Sequence, residues 1–198
     1  MYAYLKGKLT YKTPTYVYIE CNGIAFHVNI SLHTYSDIEK LEEVMLYTQL
    51  IVREDAHILY GFYAEEERNM FNHLISVSGI GPNTARLMLS SLSTKELQNA
   101  IIYDDVRLIQ SVKGVGPKSA QKVIIELKDK VKKENLTQTL EPNLGVNNKN
   151  EIYSEAIAAL SMLGFAKNQA EKAIQSVLKS NPNIHSTEEL IKQSLKNL

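Results

Sequence analysis

Residues 74–89 read LISVSGIGPNTARLML, and residues 109–124 read IQSVKGVGPKSAQKVI. Set 35 positions apart, Ser76, Val77, Gly79, Gly81, Pro82 and Ala85 recur as Ser111, Val112, Gly114, Gly116, Pro117 and Ala120. Ile80 with Val115 and Thr84 with Ser119 are conservative pairs. A chain that repeats an S-V-x-G-φ-G-P-x-[ST]-A core, where φ is aliphatic, repeats a supersecondary unit. The unit is a hairpin between two helices. Gly79 and Gly114 are placed to take positive φ and end the first helix. Ile80 and Val115 are expected to point inward and pin the bend. Gly81 and Gly116 carry no side chain, so another backbone can approach closely. Pro82 and Pro117 fall at the first helical position, where a missing N–H costs nothing.

The free amides at each helix start then face outward at the positive end of the helix dipole, which makes an anion site from main chain. Main-chain donors cannot read bases; they fix position on a phosphate backbone. The candidate nucleic-acid contacts are therefore Gly79, Ile80, Gly81, Asn83 and Thr84 in the first copy. In the second they are Gly114, Val115, Gly116, Lys118 and Ser119, with Lys122 one turn further along. Such binding is sequence-independent and weakened by salt. A single copy would read equally well as a plain helix–helix turn. Two copies with matching flanks favour the ligand site.

Charge supports this by its distribution. The formal net charge is zero, yet seven lysines lie between Lys113 and Lys133 against only Glu126 and Asp129. The basic run adjoins the second copy, where local charge matters more than the total.

The first 63 residues have a different texture. Tyr2 to Leu9 and Thr15 to Glu20 are aromatic and β-branched. Asn22-Gly23 marks a tight hairpin turn. Ile24, Phe26, Val28 and Ile30 alternate with Ala25, His27 and Asn29, so one face should be buried. A short helical excursion is expected over Asp37 to Glu43. Val44 to Val52 and His57 to Tyr63 form a second strand pair around Arg53-Glu54-Asp55-Ala56. Five short strands in about 60 residues predict a small closed barrel of the OB type. Helical texture begins at Ala64, with acids in its first turn.

The predicted organisation is an α+β multidomain chain. It comprises an OB-type β-barrel over 1–63, a tandem helix-hairpin-helix domain over 64–136, a flexible linker over 137–149 and a small three-helix, UBA-like domain over 150–198. The linker follows from Pro142, Gly145 and the asparagines Asn143, Asn147, Asn148 and Asn150 among few apolar residues. In the last segment Ile152, Ala156, Ile157, Ala159, Leu160 and Leu163 form a stripe ended by Gly164. Ser186 and Glu189 are spaced as a capping box.

Several classes are disfavoured. No run of apolar residues is long enough to span a membrane, and the N-terminus lacks the pattern of a secretory signal. One cysteine, Cys21, excludes an internal disulfide and a multi-cysteine metal site, and it fits a cytoplasmic setting. The five histidines show no metal-ligand spacing, no P-loop is present, and no cofactor is expected. A helix-hairpin-helix repair enzyme of glycosylase or nuclease type remains an alternative, with Glu54-Asp55 or Asp104-Asp105 as weak Mg²⁺ candidates. A generic architectural duplex binder is another.

The β segment with VREDA (Val52 to Ala56) and LYGF (Leu59 to Phe62), the paired hairpins, and the linker before a small helical domain together resemble the RuvA family. These are the Holliday-junction-binding subunits of the bacterial RuvAB complex. The resemblance covers essentially the full length in the same order. It implies a non-catalytic role in DNA recombination, repair and the SOS response: holding a four-way junction open and square-planar for the RuvB hexameric ATPase, which uses the ATP and Mg²⁺. It implies a homotetramer, singly or as an octamer on DNA, with RuvC resolvase as a further partner. It implies that Glu54 and Asp55 form an acidic pin at the junction centre, where their charge steers converging strands outward. Leu160, Leu163, Gly164 and Phe165 match the motor-binding surface, Phe165 being the preferred anchor. Two positions depart from the family's pattern, because Asn83 and Pro117 stand where lysine is common.

Overall fold

The computed structural model describes residues 2–138, 148–181, 184 and 186–197. Five strands open the chain: β1 (Tyr4–Lys12), β2 (Tyr16–Cys21), β3 (Ile24–Ile30), β4 (Glu43–Val52) and β5 (His57–Phe62), with helix α1 (Leu32–Ile38) between β3 and β4. They close a barrel in the order β1-β2-β3-β5-β4, and β4 returns to pair with β1. All pairings are antiparallel except β3 with β5, which run parallel with Val28 opposite Leu59 and Ile30 opposite Gly61. That is the closure expected for an OB-type barrel. Asn22 and Gly23 both take positive φ, 49° and 87°, as a two-residue hairpin turn requires. The interior holds Leu5, Leu9, Val17, Ile19, Val28, Ile30, Val44 and Leu46, capped by Ile38 of α1.

Two expectations for this segment need correction. The alternation in β3 buries Val28 and Ile30 but leaves Ile24 exposed. Only residues 28–30 of β3 have β5 beside them, so the first half overhangs the barrel. The helical excursion lies at Leu32–Ile38 rather than Asp37 to Glu43. Ser31 sets its start, because its side chain accepts a hydrogen bond from the Thr34 amide.

Five helices follow: α2 (Glu65–Ser76), α3 (Pro82–Ser91), α4 (Thr94–Ile102), α5 (Val106–Gln110) and α6 (Pro117–Gln138). Their apolar faces form one core that begins on the barrel itself. Tyr60 and Phe62 of β5 stack on Phe71 of α2, with ring centroids 5.0 and 4.9 Å apart. β1–α6 are therefore one compact unit. A second joint is polar. Glu67 of α2 is buried and accepts hydrogen bonds from the Ser31 hydroxyl (2.5 Å) and the Thr34 hydroxyl (2.7 Å). Arg86 of α3 reaches the Thr15 carbonyl at 2.8 Å.

The second compact unit contains α7 (Asn148–Met162), α8 (Lys167–Ser180) and α9 (Thr187–Ser194). Its core is Ile152, Ala156, Leu160, Ala170, Ile174, Val177, Ile184 and Leu190. Ser186 does stand at the N-cap of α9, but its side chain makes no capping bond. Glu189 instead accepts from the Gln193 amide, so the predicted capping box is not formed. Of the linker expected over 137–149, residues 137–138 belong to α6 and 148–149 to α7, and 139–147 lie outside the described residues. No helix among the described residues is long and apolar enough to cross a membrane.

Candidate nucleic-acid interface

The two repeat copies fold into matching corners. Gly79 and Gly114 take φ of 95° and 91°. In the first corner Val77 N–H donates to Leu74 O (3.1 Å) and Ile80 N–H to Val77 O (3.0 Å). In the second, Val112 N–H donates to Ile109 O (3.4 Å) and Val115 N–H to Val112 O (3.1 Å). Helix bonding resumes with Ala85 N–H on Gly81 O and Ala120 N–H on Gly116 O, each at 2.9 Å. Ile80 and Val115 are buried in the shared core. Their amides are already bonded, so these two residues hold the corners in shape rather than face a ligand.

The first intrahelical donors are Ala85 and Ala120. The amides of Asn83 and Thr84, and those of Lys118 and Ser119, therefore have no acceptor within their helices. Gly81, the N-cap of α3, supplies no side-chain cap. A Cβ built on Gly81 or Gly116 would meet nothing within 4 Å. The protein itself leaves these positions open. Asn83, Lys118 and Lys122 are exposed, and Thr84 and Ser119 are half-buried.

The charge of the two corners differs in origin. The second is flanked by exposed Lys113, Lys118 and Lys122. The first has no lysine; it abuts the barrel, where the Tyr60 hydroxyl donates to Asn83 Oδ1 at 3.1 Å. Burial raises the Tyr60 phenol above its ordinary pKa, while the guanidinium groups of Arg86 and Arg53 pull the other way. Arg86 on α3 and Arg53 on the β4–β5 turn are thus the cations that act on Tyr60 beside the first corner. Sequence reading missed Tyr60, Arg86 and Arg53. Tyr60 and Arg53 belong to the barrel, which packs against the corner from outside the repeat, whereas Arg86 lies on α3 itself.

Glu54 and Asp55 are both exposed on the turn between β4 and β5, which is closed by Arg53 N–H on Ala56 O at 2.8 Å. Asp104 forms an ion pair with Lys128, and the Asp105 side chain accepts from the Leu108 amide at 3.0 Å as the cap of α5. These two acids already have structural partners. No group of three or more potential metal ligands occurs among the described residues.

In the second unit the candidate motor-binding residues separate by burial. Leu160 is fully buried, Leu163 is 60% exposed and Phe165 is half-buried. Helix-end geometry causes this. Gly164 takes φ 96°, Phe165 N–H bonds back to Leu160 O and Gly164 N–H to Ser161 O. That pattern packs the residue after the glycine onto the one five positions earlier. Leu163 is left outside with Met162, which is 90% exposed and was not singled out from sequence.

A five-stranded OB-type barrel joined to paired helix-hairpin-helix corners defines a nucleic-acid backbone-binding protein of the tandem-hairpin class. Comparison with known proteins refines this. Residues 1–61 match the family model described as RuvA N terminal domain. Residues 71–129 match the SAM-like helix-hairpin-helix tandem, and 151–198 the RuvA C-terminal domain. Relatives from Cytophaga hutchinsonii and Christiangramia forsetii are each 50% identical over 198 residues, covering at least 99% of both chains. One from Bacteroides fragilis is 44% identical over 206 residues and covers all of both. Each bears the name Holliday junction branch migration complex subunit RuvA. The chain belongs to the RuvA family.

Proposed function

We propose that this protein recognises four-way DNA junctions as the non-catalytic subunit of a branch-migration complex. The matching corners carry the reading: two sites of open main-chain amides with the same backbone geometry, in a chain of full-length family likeness. Backbone amides suit phosphates of any sequence, as a mobile junction demands. Gly79, Gly81, Asn83 and Thr84 form one contact set, and Gly114, Gly116, Lys118, Ser119 and Lys122 the other. Ile80 and Val115 support them. Glu54 and Asp55 act as the central acidic pin in a homotetramer, one or two of which hold the junction.

The compact unit that joins the barrel over 1–63 to the hairpin domain over 64–136 acts as the DNA-gripping part, and 150–198 act as the motor-docking domain. The partner motor is the RuvB hexameric ATPase, met through Leu163, Gly164 and Phe165 with Leu160 beneath them. The RuvC resolvase is a further partner. ATP and Mg²⁺ belong to the motor, this chain needs no cofactor of its own, and the setting is cytoplasmic.

The deciding experiment is competition binding. A labelled four-way junction should resist linear duplex of equal length at a large excess. Equal affinity for the two would favour an architectural duplex binder. Strand cleavage of the junction by the purified protein with Mg²⁺ would favour a nuclease.

A further inference from the structure

The first corner lacks a lysine, but a hydrogen bond from the barrel reaches its exposed asparagine. Tyr60 is 2% exposed, and its ring is fixed against Phe71. A buried phenol needs an acceptor for its proton, and the acceptor here is Asn83 Oδ1 at 3.1 Å. This bond decides which way the amide faces. With Oδ1 turned to Tyr60, the Nδ2 hydrogens point away from it, on an exposed residue whose own main-chain N–H is also without a helical partner.

We propose that Tyr60 is a positioning residue for nucleic-acid binding: it orients the Asn83 side-chain amide as a neutral phosphate donor on the first corner. This rests on the junction-binding reading above. A lysine at the same position would need no such help, since an ammonium on a flexible stem attracts phosphate from many orientations. A neutral amide presents either its oxygen or its nitrogen, and the wrong face repels a phosphate. Burial supports the arrangement by keeping the phenol protonated, and therefore a donor, well above neutral pH. Tyr60 lies on β5, the strand that leaves the Glu54–Asp55 turn, so one short strand carries both the acidic turn and the group that sets the first corner.

The test is a double-mutant cycle read by four-way junction binding in moderate salt, alongside thermal melts. Tyr60→Phe removes only the hydroxyl and should weaken binding about fivefold, the scale of one modest hydrogen bond. Asn83→Ala removes no buried apolar side chain and should weaken binding to a similar degree, with no further loss on adding Tyr60→Phe. In an Asn83→Lys background, Tyr60→Phe should leave affinity unchanged. A merely structural tyrosine would cost the same affinity in both backgrounds, and that result overturns the proposal. So does undiminished binding by Tyr60→Phe or by Asn83→Ala. If the wild-type protein shows no preference for the junction over duplex, the functional reading fails first. If that preference holds and the cycle is flat, only the role of Tyr60 fails.

Discussion

Two kinds of glycine occupy each corner, and they should respond differently to the same substitution. Gly79 and Gly114 sit at φ near 90°, where an L-residue pays about 1–2 kcal/mol. Gly81 and Gly116 have room for a methyl group, and Gly81 has an ordinary φ of −83°. The double variant Gly81→Ala/Gly116→Ala should therefore melt within a few degrees of the wild type, because an alanine N-cap costs on the order of 1 kcal/mol or less relative to glycine. Its junction affinity should fall at least about tenfold, since the methyl groups stand where sugar-phosphate must approach. Gly79→Ala should instead lower the melting temperature visibly. Unimpaired retention of DNA by the folded double variant would remove the basis of the site. Glu67 makes a second prediction at this scale. Burial raises its pKa; the Ser31 and Thr34 hydroxyls and His33 partly offset this, while Asp37 adds to it. A carboxyl with a raised folded pKa favours folding fully below its unfolded value and loses that contribution as pH climbs through the folded one. Glu67→Gln should thus gain stability relative to the wild type between acid and neutral pH in urea titrations. A stability difference, variant minus wild type, that fails to become more positive as pH rises would contradict this. Glu67→Ala should cost about 2 kcal/mol or more, because it leaves two buried hydroxyls without an acceptor.

At the scale of elements, α4 starts on a fully formed capping box. The Glu96 amide donates to Ser93 Oγ at 3.3 Å, and the Ser93 amide donates to the Glu96 carboxylate at 2.8 Å, completing a capping box. Its hydrogen bonds to Ser93 lower the Glu96 pKa, so that share of the stability is present above the ordinary carboxylate range and fades as pH falls. Ser93→Ala should cost about 1 kcal/mol in denaturant melts, whereas Ser186→Ala, at a cap with no side-chain bond, should cost far less. Equal losses at the two sites would refute the distinction. The same pair shows the limit of a spacing rule: the box expected at Ser186 does not form, and the one that forms at Ser93 was not singled out from sequence. Both have the spacing of a capping box, yet only one closes, because the exposed Glu189 finds Gln193 instead. Local signals served well where one residue type is nearly compulsory: Asn22-Gly23 at the hairpin, Gly79-Ile80-Gly81-Pro82 and its copy, and Gly164 at the end of α7. They failed where distant chain decides. The short parallel pairing of β3 with β5 leaves Ile24 bare, and the packing of α2 and α3 on the barrel joins Tyr60 to Asn83 across 23 residues and Glu67 to Ser31 across 36. Periodicity likewise put Leu160 and Leu163 on one stripe, while the helix-ending glycine buries the first and exposes the second.

At the scale of the molecule, the hydrophobic clusters divide as the compact units do. Two clusters lie within β1–α6 and the third within α7–α9. The proposed phosphate contacts and the acidic turn all belong to the first unit. A chain ending at Gln138 should therefore bind the four-way junction within about threefold of the full protein, a difference of about 0.7 kcal/mol at most. It should fail to stimulate the partner ATPase on junction DNA. The full-length variant Leu163→Asp separates docking from mere presence of the domain. Its side chain is 60% exposed, so a carboxylate there leaves the three-helix core intact while spoiling an apolar contact. Leu160→Ala is the contrasting control. A buried leucine truncated to alanine costs about 2–5 kcal/mol, which a unit this small can hardly bear. Circular dichroism should report an altered second unit for Leu160→Ala and an unchanged one for Leu163→Asp. Both should lose motor stimulation and keep junction binding. If Leu163→Asp supports the motor fully, docking lies on another face of α7–α9. If the truncated chain loses the junction, DNA recognition is not confined to the barrel and the paired corners.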